Sequence, residues 1–329
     1  MISLQTAFRQ YFPGIAIAAV VALSAQFLAD HYGAPAMLMA ILIGLALNFL
    51  GEEPRSAPGI ALTARHVLRL GVALLGIRVS TDTLIGLGPG PLAIVALAVP
   101  LTIGFGLVLA RLLDQPGRFG FLTGGSVAIC GASAAMAIGA LLPQDARRER
   151  DIAFTVIAVT VMSTLAMILY PILAARLALP EAATGLLLGA TIHDVAQVVG
   201  AGFSVSPEVG DLSTLFKLFR VMLLAPVVVI GAVILRRSSP QDGPRPPLMP
   251  GFVLAFLLLA GANSLGLVPE MLRAALDPMI RASLLMAVAA VGLRTHLPAL
   301  LTVGPAAAVM IVTETLFLLA IVLAALLLI

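Results

Sequence analysis

Long runs of apolar residues recur along almost the whole chain, and short stretches rich in Pro, Gly and charged residues separate them. An α-helix needs about 20 predominantly apolar residues to cross the hydrocarbon core of a bilayer. The runs are continuously apolar, whereas the strands of a membrane barrel alternate apolar and polar residues. The pattern therefore predicts membrane helices. The apolar segments lie at 13–29, 35–50, 66–86, 89–110, 121–142, 152–175, 185–202, 212–235, 250–267, 279–296 and 304–328.

The composition agrees with a membrane location. Hydrophobic residues make up 60% of the 329 residues and charged residues only 11%, which is too little charge to cover the surface of a soluble domain. The first apolar run is interpreted as a retained helix, because a second run follows it from Pro35. We expect an all-α protein of about 9–11 transmembrane segments in the inner (plasma) membrane. Residues 1–329 are expected to form one transmembrane domain, with halves of about 1–150 and 151–329.

The distribution of arginine in the loops predicts the orientation. Arginine occurs in the loops at 51–65, 111–118, 143–150 and 236–245. The positive-inside rule places such loops in the cytoplasm. All of them reach that side only if segments 121–142 and 185–202 each enter and leave the membrane on one face, from opposite sides. The alternative is that each of these two segments is a broken helix that crosses once.

An internal repeat supports an inverted architecture. The stretch 73–89 aligns without gaps to 289–305, and Arg78 then coincides with Arg294. In the predicted topology the first copy runs outward and the second runs inward. Inverted repeats of this kind are common in secondary transporters. The same alignment does not carry segment 121–142 onto 185–202.

Two segments are unusually rich in small and polar residues. They contain TGGSVAICGASAAMA (123–137) and GATIHDVAQVVGAG (189–202). Glycine permits a helix to stop and restart inside the membrane, and the free N–H groups of the new helix can bind an anion. Close helix packing through small residues is the alternative explanation. We expect two broken or re-entrant helices that line a polar site.

Polar residues at membrane depth favour a site over simple packing. His193, Asp194 and Gln197 lie within one apolar run, where such groups are costly and often mark a substrate path. Lys217 and Arg220 share a face of the following helix. The alternative for Lys217 is that it extends to the membrane interface, whereas Arg220 is too deep for this. Arg220 is therefore the favoured residue, since arginine offers a fixed fork of donors to an oxyanion. The predicted substrate site comprises Gly125, Ser126, Cys130, Gly131, Ser133, His193, Asp194, Gln197, Lys217 and Arg220.

Three further charged residues lie within or at the ends of apolar segments. Glu314 is deep in the last segment, where a lone carboxylate should be protonated or paired. It is either a proton-coupling group or a structural partner. Arg78 and Arg294 either function in transport or mark helix ends at the interface.

Four stretches together resemble a known family. They are GGSVAICGASAA (124–135), TIHDVAQVVGAG (191–202), KLFRVMLLAP (217–226) and RLGVALLGIRVS (69–80). On these residues the chain resembles the YeiH-like sulfate exporter family of multi-pass membrane proteins. Relatives often carry glutamate where this chain has Asp194, so a carboxylate is kept. The resemblance implies a carrier that moves sulfate or a similar sulfur oxyanion outward.

The favoured hypothesis is therefore a secondary transporter that exports a small inorganic or organic anion by alternating access. Its coupling ion is the proton or sodium, and a homodimer is one assembly open to it. The alternative is a cation/proton antiporter that uses the carboxylates of Asp194 and Glu314. An enzyme is not expected, since the sequence has no H-E-x-x-H, G-x-S-x-G or nucleotide-binding loop. No cofactor, metal or nucleic acid is predicted, because Cys130 is the single cysteine and there is no long basic run.

Overall fold

The computed structural model describes residues 4–32, 34–78, 88–143, 146–236, 251–295 and 305–328. Throughout these residues the regular structure is helical. The α-helices are α1 (Leu4–Tyr32), α2 (Ala36–Ala46), α3 (Ala57–Leu62), α4 (Leu68–Leu75), α5 (Pro89–Leu112), α6 (Gly117–Ala128), α7 (Ala132–Gly139), α8 (Ala146–Arg176), α9 (Glu181–Thr191), α10 (Val195–Val205), α11 (Pro207–Met222), α12 (Leu224–Arg236), α13 (Gly251–Ser264), α14 (Glu270–Arg294) and α15 (Pro305–Leu326).

The all-helical membrane fold is confirmed. Within the described ranges, 7 helices are long and apolar enough to cross a membrane. They span Arg9–Tyr32, Ala57–Arg78, Pro89–Leu112, Arg150–Arg176, Pro207–Ile234, Glu270–Arg294 and Ala308–Leu326. The shorter helices α2 and α13 are also apolar, and the pairs α6/α7 and α9/α10 form two interrupted helices.

The third membrane helix begins earlier than the sequence predicts. A π-helical turn at Thr63–Val67 joins α3 to α4, so one helix runs from Ala57 to Arg78 through residues expected to be loop. Gly14 of α1 faces Gly59 of α3 at close range, with no room for a Cβ atom at either position. This close packing outweighs the local preference of the Pro- and Arg-rich stretch for a loop.

The helices form two bundles. The first bundle contains α1 to α4, α13 and α14, and the second contains α5 to α12 and α15. Helix α10 of the second bundle packs against α2 and α14 of the first. The second bundle therefore holds both interrupted helices, and one of them lies at the boundary between the bundles.

The inverted repeat stays a prediction. Much of each copy, residues 79–87 and 296–304, lies outside the described residues. The two copies do end helices of the first bundle, since Arg78 follows α4 and Arg294 closes α14.

Candidate functional site

The first helix break lies between α6 and α7, at residues 129–131. Gly131 has φ 59° and ψ −121°, a left-handed conformation that favours glycine. Its N–H donates to the Ser126 carbonyl over 2.8 Å and closes the turn. Gly131, the N-cap residue of α7 (which starts at Ala132), offers no side-chain cap, and the Ala134 N–H in the first turn interacts with the Cys130 side chain. The interruption predicted for this segment is confirmed, and it leaves an uncapped helix N-terminus inside the second bundle.

The second break lies between α9 and α10, at residues 192–194. The N–H groups of His193 and Asp194 both donate to the Ser163 hydroxyl, over 3.2 and 2.9 Å. Asp194 Oδ1 accepts a 2.8 Å bond from the N–H of Ala196 and so caps α10. This predicted interruption is confirmed as well, and its backbone is fixed by its own residues and by α8.

The two breaks meet. A Cβ atom placed on Gly131 would lie 3.4 Å from the Cβ atom of His193. Two interrupted helices thus meet at one place. The backbone N–H and C=O groups at their ends need hydrogen-bond partners outside their own helices.

Lys217 of α11 bridges the breaks. Its side chain is 0% exposed, and its Nζ donates to the carbonyls of Ile129 and Ile192 over 2.6 and 3.0 Å. One of these carbonyls belongs to each break. Carbonyls at the C-terminal end of a helix carry partial negative charge, so a cation is stabilised there.

Arg220 lies one turn further along α11 and is 1% exposed. Its Nη1 donates to the Ile192 carbonyl over 3.0 Å. Its Nε and Nη2 donate to the carbonyls of Ala128 and Val127. Each nitrogen of the guanidinium thus has a backbone partner, and both broken helices are fastened to α11.

Helix α15 contacts both interrupted helices through two consecutive residues. Glu314 Oε1 lies 2.8 Å from Thr123 Oγ1 of α6. Thr315 Oγ1 lies 3.0 Å from His193 Nε2 at the second break. Gln197 of α10 donates to Thr164 Oγ1 of α8 over 2.7 Å.

Several buried polar atoms around the breaks have no hydrogen-bond partner in the part of the chain that the structure describes. They are His193 Nδ1, Gln197 Oε1 and Glu314 Oε2. Ser133, in the first turn of α7, is exposed, and Asp194 is partly exposed. The surroundings of Lys217 and Arg220 are thus buried, whereas the first turn of α7 is exposed at Ser133.

Comparison with known proteins places the chain in a family. A family model described as "Conserved hypothetical protein 698" matches residues 13–311. The chain is 56% identical over 322 residues to the UPF0324 membrane protein TauZ of Paracoccus pantotrophus, covering 97% of this chain and 95% of that protein. It is 49% identical over 314 residues to a UPF0324 membrane protein of Chlorobaculum tepidum, covering 94% and 88%. The chain belongs to the UPF0324 family of membrane proteins.

Other members match as closely. The UPF0324 membrane protein TauZ of Paracoccus denitrificans is 57% identical over 311 residues, covering 93% of this chain and 92% of that protein. No solved structure matches the chain. The resemblance to the YeiH-like family is consistent with this membership, and the UPF0324 relatives share the membrane location in name.

Most residues predicted for the site of this UPF0324 protein gather around the breaks. Cys130 is a buried free thiol within the first break. Gly125 leaves no room for a side chain beside Ile138 of α7, and Ser126 Oγ bonds to the carbonyl of Leu122 in its own helix. Gly125 and Ser126 therefore serve helix packing in this conformation. Whether any predicted residue binds a substrate stays a prediction.

Arg78 lies in a group of ion pairs apart from the breaks, and Arg294 lies at the end of α14. Arg78 Nη2 is 3.2 Å from Asp211 Oδ2 of α11, and its Nε is 3.6 Å from Asp277 Oδ1 of α14. Asp277 also pairs with Arg281 over 2.8 Å. The pair of Arg78 with Asp211 connects the two bundles, whereas the pairs of Asp277 lie within the first bundle. Arg294 is exposed at the end of α14, within electrostatic reach of Asp194.

Sequence reasoning missed the hydroxyl groups that hold the second break. Ser163 and Thr164 of α8 fix His193, Asp194 and Gln197. Hydroxyls in apolar helices commonly bond to their own backbone, as Thr164 also does with the Thr160 carbonyl. A Ser-Thr pair in a membrane helix is therefore a weak signal by itself.

Proposed function

We propose that this protein is a secondary carrier that exports sulfate or a related small sulfur oxyanion across the inner membrane by alternating access. The observation that carries the proposal is the meeting of two helix breaks around Lys217 and Arg220. Broken backbone at membrane depth is tolerated where it is buried in protein or lines a water-filled cavity, and secondary carriers bind their substrates at such breaks.

The charge of the centre favours an anion. In the described part of the chain no carboxylate lies within ion-pair distance of Lys217 or Arg220. Lys217 and Arg220 are held by neutral carbonyls, whose dipoles offset only part of a full charge. Asp194 at the second break interacts electrostatically with Lys217, so the two cations leave the proposed centre with an excess of positive charge. An oxyanion nearby lowers the energy of both cations.

The N-terminus of α7 is the proposed binding site of the anion. It has no side-chain cap, and Ser133 in its first turn is exposed. Free N–H groups and the helix dipole attract an oxyanion there. Lys217 and Arg220 hold the opposite, carbonyl side of the breaks, so they contribute charge and position the backbone, while the N–H groups and Ser133 contact the solute.

The two-bundle architecture supports alternating access. Movement of the second bundle against the first changes the surface between α10 and its neighbours α2 and α14. It also breaks the ion pair of Arg78 with Asp211. This pair joins the bundles in the present conformation and must separate when the protein changes to the alternative conformation.

A cation/proton antiporter is the second candidate. Asp194 is a partly exposed carboxylate at the second break, which is the kind of group that binds sodium or a proton. The candidates differ in what crosses the membrane, so one preparation distinguishes them.

The test is transport by purified protein in proteoliposomes, with radiolabelled sulfate inside and the wild-type chain compared with Ser133→Ala. We expect sulfate efflux from the wild type and a lower rate from S133A. The control is Ser24→Ala, since Ser24 lies in the first bundle and bonds to the carbonyl of Val20 in its own helix. Sodium-driven proton movement without flux of sulfate, sulfite or a sulfonate contradicts the proposal and favours the antiporter.

A further inference from the structure

We propose that Glu314 is a proton-binding site, and that the proton is the ion coupled to anion export. This inference rests on the proposed function. It names the coupling ion and the residue that carries it, which the anion site itself leaves open.

The surroundings of Glu314 offer no compensating charge. The side chain is 0% exposed at the middle of α15. Within the described ranges Glu314 takes part in no ion pair, and its Oε2 atom has no hydrogen-bond partner. An ionised carboxylate buried in this way is costly, whereas a protonated carboxyl is neutral.

The hydrogen bonds of Thr123 also favour a protonated Glu314. Thr123 Oγ1 lies 2.8 Å from Glu314 Oε1 and 3.1 Å from the carbonyl of Phe119. A hydroxyl has one proton, and a carbonyl can only accept. Two full hydrogen bonds form at once if Glu314 donates a proton to Thr123 Oγ1 and Thr123 donates its own to Phe119, whereas an ionised Glu314 has to share the single Thr123 proton with that carbonyl.

The carboxyl is enclosed by backbone. A Cβ atom on Gly106 of α5 would lie 2.7 Å from Glu314 Oε1 and 2.8 Å from the carbonyl of Gly120. Glycine at position 106 thus makes the space that the carboxyl occupies. No water-sized gap is needed to hold a neutral carboxyl there, but a carboxylate requires water or another donor to reach it.

Hydrogen bonds of Glu314 and Thr315 connect α15 to both interrupted helices. It bonds to α6 through Thr123, and the next residue, Thr315, bonds to His193 at the second break. Helices α5, α6, α8 and α9 pack against α15. Among the residues that the structure describes, the titratable side chain hydrogen-bonded to this part of α15 is that of His193, and the buried side chains of Lys217 and Arg220 at the breaks are bonded to carbonyls.

Release of the proton therefore requires a change of conformation. It would leave a buried anion with one donor, and that anion is stabilised only when α15 parts from α6 and water enters. A proton taken up from water on one side and released to water on the other thus accompanies the movement that exposes the breaks to each side in turn.

The first experiment reads the proton directly. Infrared difference spectra of the wild-type protein in lipid at neutral pH are expected to contain the C=O band of a protonated carboxyl, which Glu314→Gln removes. Thr123→Val keeps the carboxyl and is expected to shift the band, because the hydrogen-bond partner is lost. A wild-type spectrum with no band that E314Q removes overturns the inference.

The second experiment uses the same sulfate-loaded proteoliposomes with a pH-sensitive dye. A sulfate gradient is expected to move protons through the wild type, and E314Q is expected to lose this proton movement entirely while it still exchanges internal for external sulfate. Proton movement in E314Q equal to that of the wild type overturns the inference and leaves the proposed function intact. Absence of sulfate flux in the wild type refutes the proposed function, and the infrared band then still decides the protonation of Glu314.

Discussion

The two helix breaks differ in how their backbone is satisfied. The second break is largely self-sufficient, since Asp194 caps α10 and Ser163 binds the N–H groups of His193 and Asp194. The first break has a left-handed Gly131 and no side-chain cap on α7. Both breaks depend on α11 for their carbonyl ends. The difference favours the second break as a fixed element and the first break as the place where, in the proposed function, a ligand meets helix N–H groups.

The largest loss of stability is expected on replacing Arg220, because both breaks depend on its hydrogen bonds. Arg220→Ala removes the donor from carbonyls of both broken helices. Unsatisfied buried acceptors cost about 1–3 kcal/mol each, so we expect a loss of at least about 3 kcal/mol of stability together with all transport. Thermal unfolding in detergent measures the loss. Arg111→Ala, at an exposed position in the last turn of α5, is the control and should unfold like the wild type.

Lys217→Met comes next. It removes one donor from each break but leaves Arg220 bonded to Ile192, so the expected loss of stability is about 2 kcal/mol. Sulfate efflux should fall further than stability does, because the variant removes a full positive charge from the centre. Efflux reduced only in proportion to the amount of folded protein would show that the charge has no role in transport.

Gly131→Ala tests the first break alone. A left-handed conformation costs a residue with a Cβ atom about 1–2 kcal/mol, whereas the neighbouring His193 Cβ at 3.4 Å leaves space for the methyl group. We expect a loss of about 1 kcal/mol and slower sulfate efflux. Gly104→Ala is the matched control, since nothing lies within 4 Å of the added atom. Equal behaviour of the two variants contradicts the role assigned to the first break.

The smallest change in stability is expected for the second break. Asp194→Asn keeps a capping oxygen, so it should cost a few tenths of a kcal/mol, while Asp194→Ala should cost about 1 kcal/mol. Comparison of the two variants separates the contribution of the helix cap from that of the negative charge. Sulfate efflux that survives in D194N supports the anion carrier, whereas complete loss of ion movement in D194N with the fold intact favours the cation antiporter.

The sequence predicted the positions of both breaks because glycine and polar residues are conspicuous within apolar segments. It also predicted that Arg220 lies deep in the membrane, and it left open whether Lys217 does so or extends to the interface; both side chains are buried. It could not predict their partners, because these are backbone carbonyls 25 to 93 residues away, and a carbonyl partner leaves no trace in residue type. The start of the third membrane helix was wrong for a related reason. The close approach of Gly14 and Gly59 is a tertiary contact that outweighs local signals for a loop.

The most direct test of the central claim is whether sulfate protects residue 133, in the first turn of α7, from labelling by a thiol reagent. In a Cys130→Ala background, Ser133→Cys is labelled with a thiol reagent in the presence and absence of sulfate, and Met136→Cys, an exposed position on the same helix, serves as the control. If the uncapped first break binds the oxyanion, sulfate slows the labelling of residue 133 and leaves that of residue 136 unchanged. Labelling of residue 133 at the same rate with and without sulfate, in protein that transports sulfate, contradicts it.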